Sequence, residues 1–210
     1  ELLVRKVKVN PGVITKHNEL LASGVGMKYP TKRIQTQFFS ISQGKQSERL
    51  NLILNRQQPK RLLISLVDHT AKNGSYTTNP FNFKHFHLSS IGLVVDGHPV
   101  PNKPIRLDFD NNLYTRAYAN LLLASGKAFV DEDNSITTAE FANGFAIYAF
   151  DLTGDLCEGE GVHLVKQSTT SLELDFKKAL EQTISVFVYS EYDDLLEIDR
   201  NRIVTRASKV

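Results

Sequence analysis

Leu172-Glu173-Leu174-Asp175-Phe176 sets three apolar side chains on one side of an extended chain and two acids on the other. Successive residues of a strand point to opposite faces, so a period of two predicts a strand with one buried face. Ile105-Arg106-Leu107-Asp108-Phe109 repeats the pattern. Residues 60–67, 91–95, 145–150 and 183–189 are more uniformly apolar, the mark of strands covered on both faces. Residues 2–9 and 32–41 complete a set of about eight strands, and residues 194–198 offer a further one.

Turn chemistry separates these runs. Asn10-Pro11-Gly12, Asn73-Gly74, Asn79-Pro80, Asp96-Gly97 and Asn143-Gly144 are strong punctuators. Asp96-Gly97, between an apolar run ending at Val95 and Val100, predicts a tight hairpin. Two helices interrupt the β pattern. Asn111 or Asn112 caps one that runs to about residue 125, with Leu113, Ala117 and Leu121 at four-residue spacing and Gly126 as its stop. A shorter one lies between Thr15 and Ser23, ended by Gly24. Numerous strands, few helices and no βαβ rhythm predict a mainly β chain. Its expected form is an antiparallel β-sandwich of about eight strands with one or two short helical insertions, a single domain over residues 1–210.

Composition narrows the function. Hydrophobic residues make up 41 % of the 210 and charged residues 23 %, enough apolar material for a real core. Twenty-five basic side chains against 23 acidic ones leave a net charge of +2, which argues against strong nucleic-acid binding. The small basic clusters Arg5-Lys6-Lys8 and Lys60-Arg61 read as solvated strand ends. Cys157 is the one cysteine, so no intrachain disulfide forms, and Glu158 and Glu160 beside it work against a thiolate. No apolar run reaches a membrane span's length, and the opening residues do not read as a signal peptide. The abrupt strand-like start suggests a fragment whose other half lies upstream.

Four constellations bear on chemistry. His85-Phe86-His87 places two histidines at i and i+2, the spacing with which cupins begin a metal motif. A cupin needs a Glu a few residues on, where Ile91 and Gly92 stand, and nothing in the spacing of His69, His98 or His163 supplies a third ligand. The pair therefore reads as structural, at a strand start. The stretch from Asp131 to Glu140 resembles the end of an EF-hand loop, but Phe129 would be its first ligand and Asn134 its turn glycine. It reads as a polar loop entering a helical turn at residues 138–141. The acids of residues 191–194, with Glu197 and Asp199, lack a spacing that fixes a reacting geometry. Asn73-Gly74-Ser75 matches a glycosylation sequon, while nucleophile elbows and phosphate-cradling loops are absent. No cofactor, metal or catalytic residue is expected, and the chain reads as a non-enzyme.

An ordered series of blocks then carries a resemblance. Leu3-Val4-Arg5-Lys6-Val7-Lys8-Val9, Pro59-Lys60-Arg61-Leu62-Leu63-Ile64 and Asn79-Pro80-Phe81-Asn82-Phe83-Lys84-His85 come first. Val95-Asp96-Gly97, Asp108-Phe109-Asp110-Asn111, Tyr148-Ala149-Phe150-Asp151-Leu152-Thr153 and Leu195-Leu196-Glu197-Ile198-Asp199-Arg200-Asn201-Arg202 follow. Together they resemble the C-terminal half of the double jelly-roll major capsid (hexon-like) proteins of Polinton/Maverick elements and adintoviruses. That resemblance implies that the sandwich is an antiparallel jelly roll and a structural subunit of a virion, built into homotrimeric capsomers and assembled inside a cell, with an N-terminal jelly roll absent from this chain. Its family has no catalytic residues to carry over.

A capsid subunit needs long loops on a rigid sandwich to touch its neighbours. Residues 68–91 and 110–143 are such excursions. Within the first, Tyr76, Phe81, Phe83 and Phe86 are the expected contacts with another jelly roll, against plain burial inside their own domain. The rival from the binding class is a jelly-roll module for a glycan or host partner, a domesticated capsid-derived copy. The absence of Trp disfavours it.

Overall fold

The computed structural model describes residues 2–54, 57–131, 134–153 and 166–206. Eight strands follow one another as β1 (Met27–Ile41), β2 (Ser47–Leu52), β3 (Arg61–Asp68), β4 (Leu88–Val95), β5 (His98–Arg106), β6 (Ile147–Asp151), β7 (Thr170–Phe176) and β8 (Ile184–Ile198), with a short β9 (Val204–Arg206) pairing on β8. One sheet has the order β1-β8-β3-β6 and the other β2-β7-β4-β5. Apart from the β4–β5 hairpin and the short β9 beside β8, each strand lies in the opposite sheet from the one before it. That wrapping of one chain around two sheets is a jelly roll, as the family resemblance implies. Pairings β2–β7, β3–β8, β3–β6, β4–β7 and β4–β5 are all antiparallel.

Chain contacts divide the molecule into two units, Glu1–Arg33 with Asp193–Val210, and Ile34–Tyr192. The hydrophobic core lies in the second. Leu172 and Leu174 are fully buried and Phe176 nearly so, while Glu173 and Asp175 face out. Opposite them on the other sheet, Leu62, Ile64 and Leu66 of β3 and Val186 and Val188 of β8 are fully buried. Each such side chain contributes roughly 1.5–3 kcal/mol relative to exposure. Ser65 and Val67, on the other side of β3, are buried as well, so this strand is covered on both faces as its apolar run implies.

The hairpin at Asp96-Gly97 forms with Val95 opposite His98, and both loop residues have positive φ, 50° and 83°. Those angles suit the right-handed twist of the flanking strands, and the Gly carries its share without a Cβ penalty. At the β1 edge a side chain takes the place of a peptide group. Gln37 Oε1 accepts the Ile53 N–H at 3.2 Å, and Gln37 Nε2 donates to the Ile53 carbonyl. At the far edge of the other sheet, β5 carries Pro99, Pro101 and Pro104.

Four helices complete the chain: α1 (Pro11–Ala22), α2 (His69–Lys72), α3 (Thr115–Ala124) and α4 (Thr138–Ala142). In α3 the buried residues Ala117, Leu121 and Ala124 recur at three- and four-residue spacing, and the helix packs against β6. Thr137 and Glu140 close a reciprocal capping box on α4, each side chain bonded to the other's backbone N–H.

Several expectations need correction. Residues 2–9 form no strand: they are exposed and pair with nothing among the described residues. Alternation yields a strand only where a neighbouring edge supplies hydrogen bonds. Neither Asn111 nor Asn112 caps α3. Asn111 ends a 3-10 turn at Phe109–Asn111, Asn112 takes a left-handed φ of 56°, and Leu113 returns to bond Asp108 before the helix begins. Asn10-Pro11-Gly12 is the start of α1, not a bare turn, because Asn10 Oδ1 accepts the Gly12 N–H at 2.9 Å and Pro suits the first helical position. β2 went unpredicted, and β5 ends at Arg106, before Leu107-Asp108-Phe109.

Candidate functional site

His85 and His87 stand in the turn that precedes β4, where Phe86 and His87 both have positive φ, 45° and 51°. His85 Nδ1 accepts the His87 backbone N–H at 3.0 Å, which holds this left-handed turn. The His85 ring stacks on Phe109 at 4.1 Å and 10°, and Phe109 stacks on Tyr114 at 5.2 Å. From Tyr114 the rings continue to Phe141, which meets Tyr148 edge-on at 6.1 Å. An aromatic ladder thus joins both long excursions to β6.

Charges clasp the outer end of the ladder. Lys177 Nζ donates to Asp110 at 2.9 Å and to Asp108 at 3.1 Å, and His87 Nδ1 lies 3.3 Å from Asp110. The Asp110 and Asp108 carboxylates hold the Lys177 ammonium above its ordinary range, and Lys177 in turn holds Asp110 low. Asp108 is lowered first by its bond from the Asn111 amide and then by Lys177. Burial pushes the His85 imidazole down and its neighbour His87 adds to this, while Asp110 works the other way. Among the described residues no group of three or more His, Cys, Asp or Glu side chains is arranged to hold a metal ion. The clasp is charge-paired and ring-stacked, an arrangement that fixes two loops to a strand end.

This cluster makes the fold pH-sensitive in a defined direction. His85 binds its proton less readily folded than unfolded, so its contribution to stability is complete above the unfolded value near 6.5 and is lost as pH falls below it. Asp108 and Asp110 are held low, so what they contribute survives until the pH falls below the ordinary carboxylate range, near 3.8. The expected result is a Tm that declines in two steps on acidification. His85→Phe keeps the stack on Phe109 and should abolish the first step alone in calorimetric scans between pH 7.5 and 5.

A cleft of about 720 Å³ opens beside the turn, lined by Lys84, His85, His87, Asn143, Lys178 and Gln182 among others. Lys84 is committed to Asp68 at 2.6 Å, and Gln182 bonds the same carboxylate. Among the described lining residues there is no Ser, Thr or Cys hydroxyl or thiol.

The four aromatics expected at a junction are divided. Tyr76 is wholly exposed and Phe81 is 71 % exposed. Phe83 is half-buried, with its backbone bridged to Gly144 and Phe145, and Phe86 packs against the core. Bare aromatic surface that sequence reasoning missed includes Phe129, 90 % exposed. Its Gly126-Lys127-Ala128 approach carries no periodic signal.

The remaining candidates have structural partners. Glu140 is spent on its capping box, which depresses its carboxyl through the Thr137 N–H and hydroxyl. Glu191 is buried beside Arg61, and Asp194 lies between Arg33 and Arg206. His69 Nδ1 meets Ser185 Oγ at 2.9 Å. Cys157, Glu158, Glu160, His163 and residues 132–133 of the EF-hand-like stretch lie outside the described residues. Among the described residues no helix is long and apolar enough to cross a membrane.

No family model matches the chain. An uncharacterized protein of Caenorhabditis elegans is 30 % identical over 207 residues, 96 % of this chain and 49 % of that protein. The chain therefore spans about half the length of the curated relative it matches. Among solved structures, PBCV-1 VP54, fitted into a cryo-EM reconstruction of the virophage Sputnik, has a TM-score of 0.51 at 11 % identity, covering 96 % of this chain and 55 % of that one. The mavirus major capsid protein has a TM-score of 0.47 at 12 % identity, covering 86 % and 41 %. At such identity the likeness is one of fold: a mainly β, antiparallel jelly roll of the kind that viral capsid proteins use.

Proposed function

We propose that this chain is a structural part, not a catalyst: one jelly roll over residues 1–210, the C-terminal half of a double jelly-roll major capsid protein of the Polinton/Maverick and adintovirus type. In this reading it works in the virion by self-assembly into homotrimeric capsomers and makes no strong contact with nucleic acid. The observation that carries it is the wrapping of one chain over two antiparallel sheets, a jelly roll that matches PBCV-1 VP54 at a TM-score of 0.51. The charge cluster at His87, Asp108, Asp110 and Lys177 braces loops, a structural role. Tyr76 and Phe81 present bare rings at the tip of an excursion, a suitable contact with another jelly roll, and Phe83 and Phe86 anchor that excursion to its own domain.

The test is solution mass by light scattering, on this chain and on one extended upstream. The extended protein is expected to be a stable trimer. Monomers of both at high concentration would overturn the capsomer reading in favour of a binding module.

A further inference from the structure

In the unit formed by Glu1–Arg33 and Asp193–Val210, none of the described residues is buried. Leu2 and Leu3 are each 87 % exposed, Val7 73 %, Val25 55 % and Ile203 56 %. Helix α1 buries no side chain at all. Apolar surface on this scale forfeits the main favourable term in folding, and it marks a surface meant to be covered. Charge sets this unit apart as well. It holds eleven basic against six acidic side chains, whereas Ile34–Tyr192 holds fourteen against seventeen.

Two observations choose the cover. A nucleic acid would answer the basic charge but leave the leucines and valines in water, whereas a protein face with carboxylates among apolar groups answers both. Leu3-Val4-Arg5-Lys6-Val7-Lys8-Val9 has a strand-like sequence and no strand partner among the described residues, the condition of a segment that adds to another sheet's edge. The Caenorhabditis elegans relative is about twice as long as this chain, leaving room in one polypeptide for a second domain of equal size.

We propose that this unit receives a second jelly roll of the same longer chain, with residues 3–9 joining that partner's sheet as an edge strand. The inference rests on the double jelly-roll reading above, and adds to it the surface by which the halves are joined.

Amide hydrogen exchange on the 210-residue chain and on the upstream-extended protein tests it. Residues 3–9 are expected to exchange at least ~100-fold more slowly in the extended protein, as paired strand amides do. Val7→Pro in the extended protein should remove that protection and leave the exchange of β3 and β7 unchanged. Fast exchange of residues 3–9 in an extended protein that still forms trimers would sink the joining surface and leave the capsomer reading intact. Protection in an extended protein that stays monomeric would do the reverse. Protection of the short chain by rising concentration alone, or by added duplex DNA, would name a second copy or nucleic acid as the cover and overturn the proposal.

Discussion

Replacing Leu174 with aspartate is expected to leave the protein unfolded. Leu174 is fully buried at the centre of β7, opposite Glu48 of β2 and Ile91 of β4. The substitution loses about 2–3 kcal/mol of apolar burial. It also places a carboxylate where no described cation or donor reaches it, at a further cost of several kcal/mol. Domains of this kind are stable by only about 5–15 kcal/mol, so the sum consumes most or all of the margin. One residue along, Asp175→Leu changes an outward-facing side chain and should move stability by less than about 0.5 kcal/mol. Circular dichroism melts of the two variants check the register directly. Equal losses would mean that β7 does not present Leu174 inward.

Phe141→Ala is expected to cost about 3–5 kcal/mol, the usual range for a fully buried aromatic. The ring lies among Tyr114, Tyr118 and Tyr148, and so ties α4 to α3 and both to β6. Its removal breaks the ladder at the middle. Loosening should therefore appear in residues 109–143 before the sheets, seen as faster amide exchange there at denaturant concentrations that leave β3 protected. Phe129→Ala, at a ring that is 90 % exposed, serves as the contrast and should leave the denaturation midpoint unchanged.

The strands that read most clearly in the sequence are those whose partners lie within the sandwich. β7 announces itself by strict alternation and β3 by an apolar run interrupted only at Ser65, because one has a wet face and the other does not. β2, Ser-Glu-Arg-Leu-Asn-Leu, sits at an edge and buries only Leu52, so its pattern is mostly polar and gives little warning. Residues 2–9 show the opposite failure: the pattern is strong, but a pattern carries no information about whether an edge is within reach. The site was legible only in part. His85-Phe86-His87 is conspicuous in one dimension, yet the groups that define its role, Phe109, Asp110 and Lys177, come from residues 22 to 92 positions away. The four aromatics of the first excursion could be named but not sorted, since exposure depends on where the β4 hairpin brings the loop to rest.

The three prolines of β5 bear on what a population of such molecules can become. Proline offers no N–H to an incoming strand, and at this edge of the sheet three of nine residues are proline. A sandwich with an open, hydrogen-bonding edge on each sheet would be free to stack side by side without limit, and a crowded solution of it would drift toward fibres. Three missing donors in nine residues weaken strand addition at this edge. In the capsomer reading proposed above, copies would then meet through shaped faces and loops and not through sheet edges.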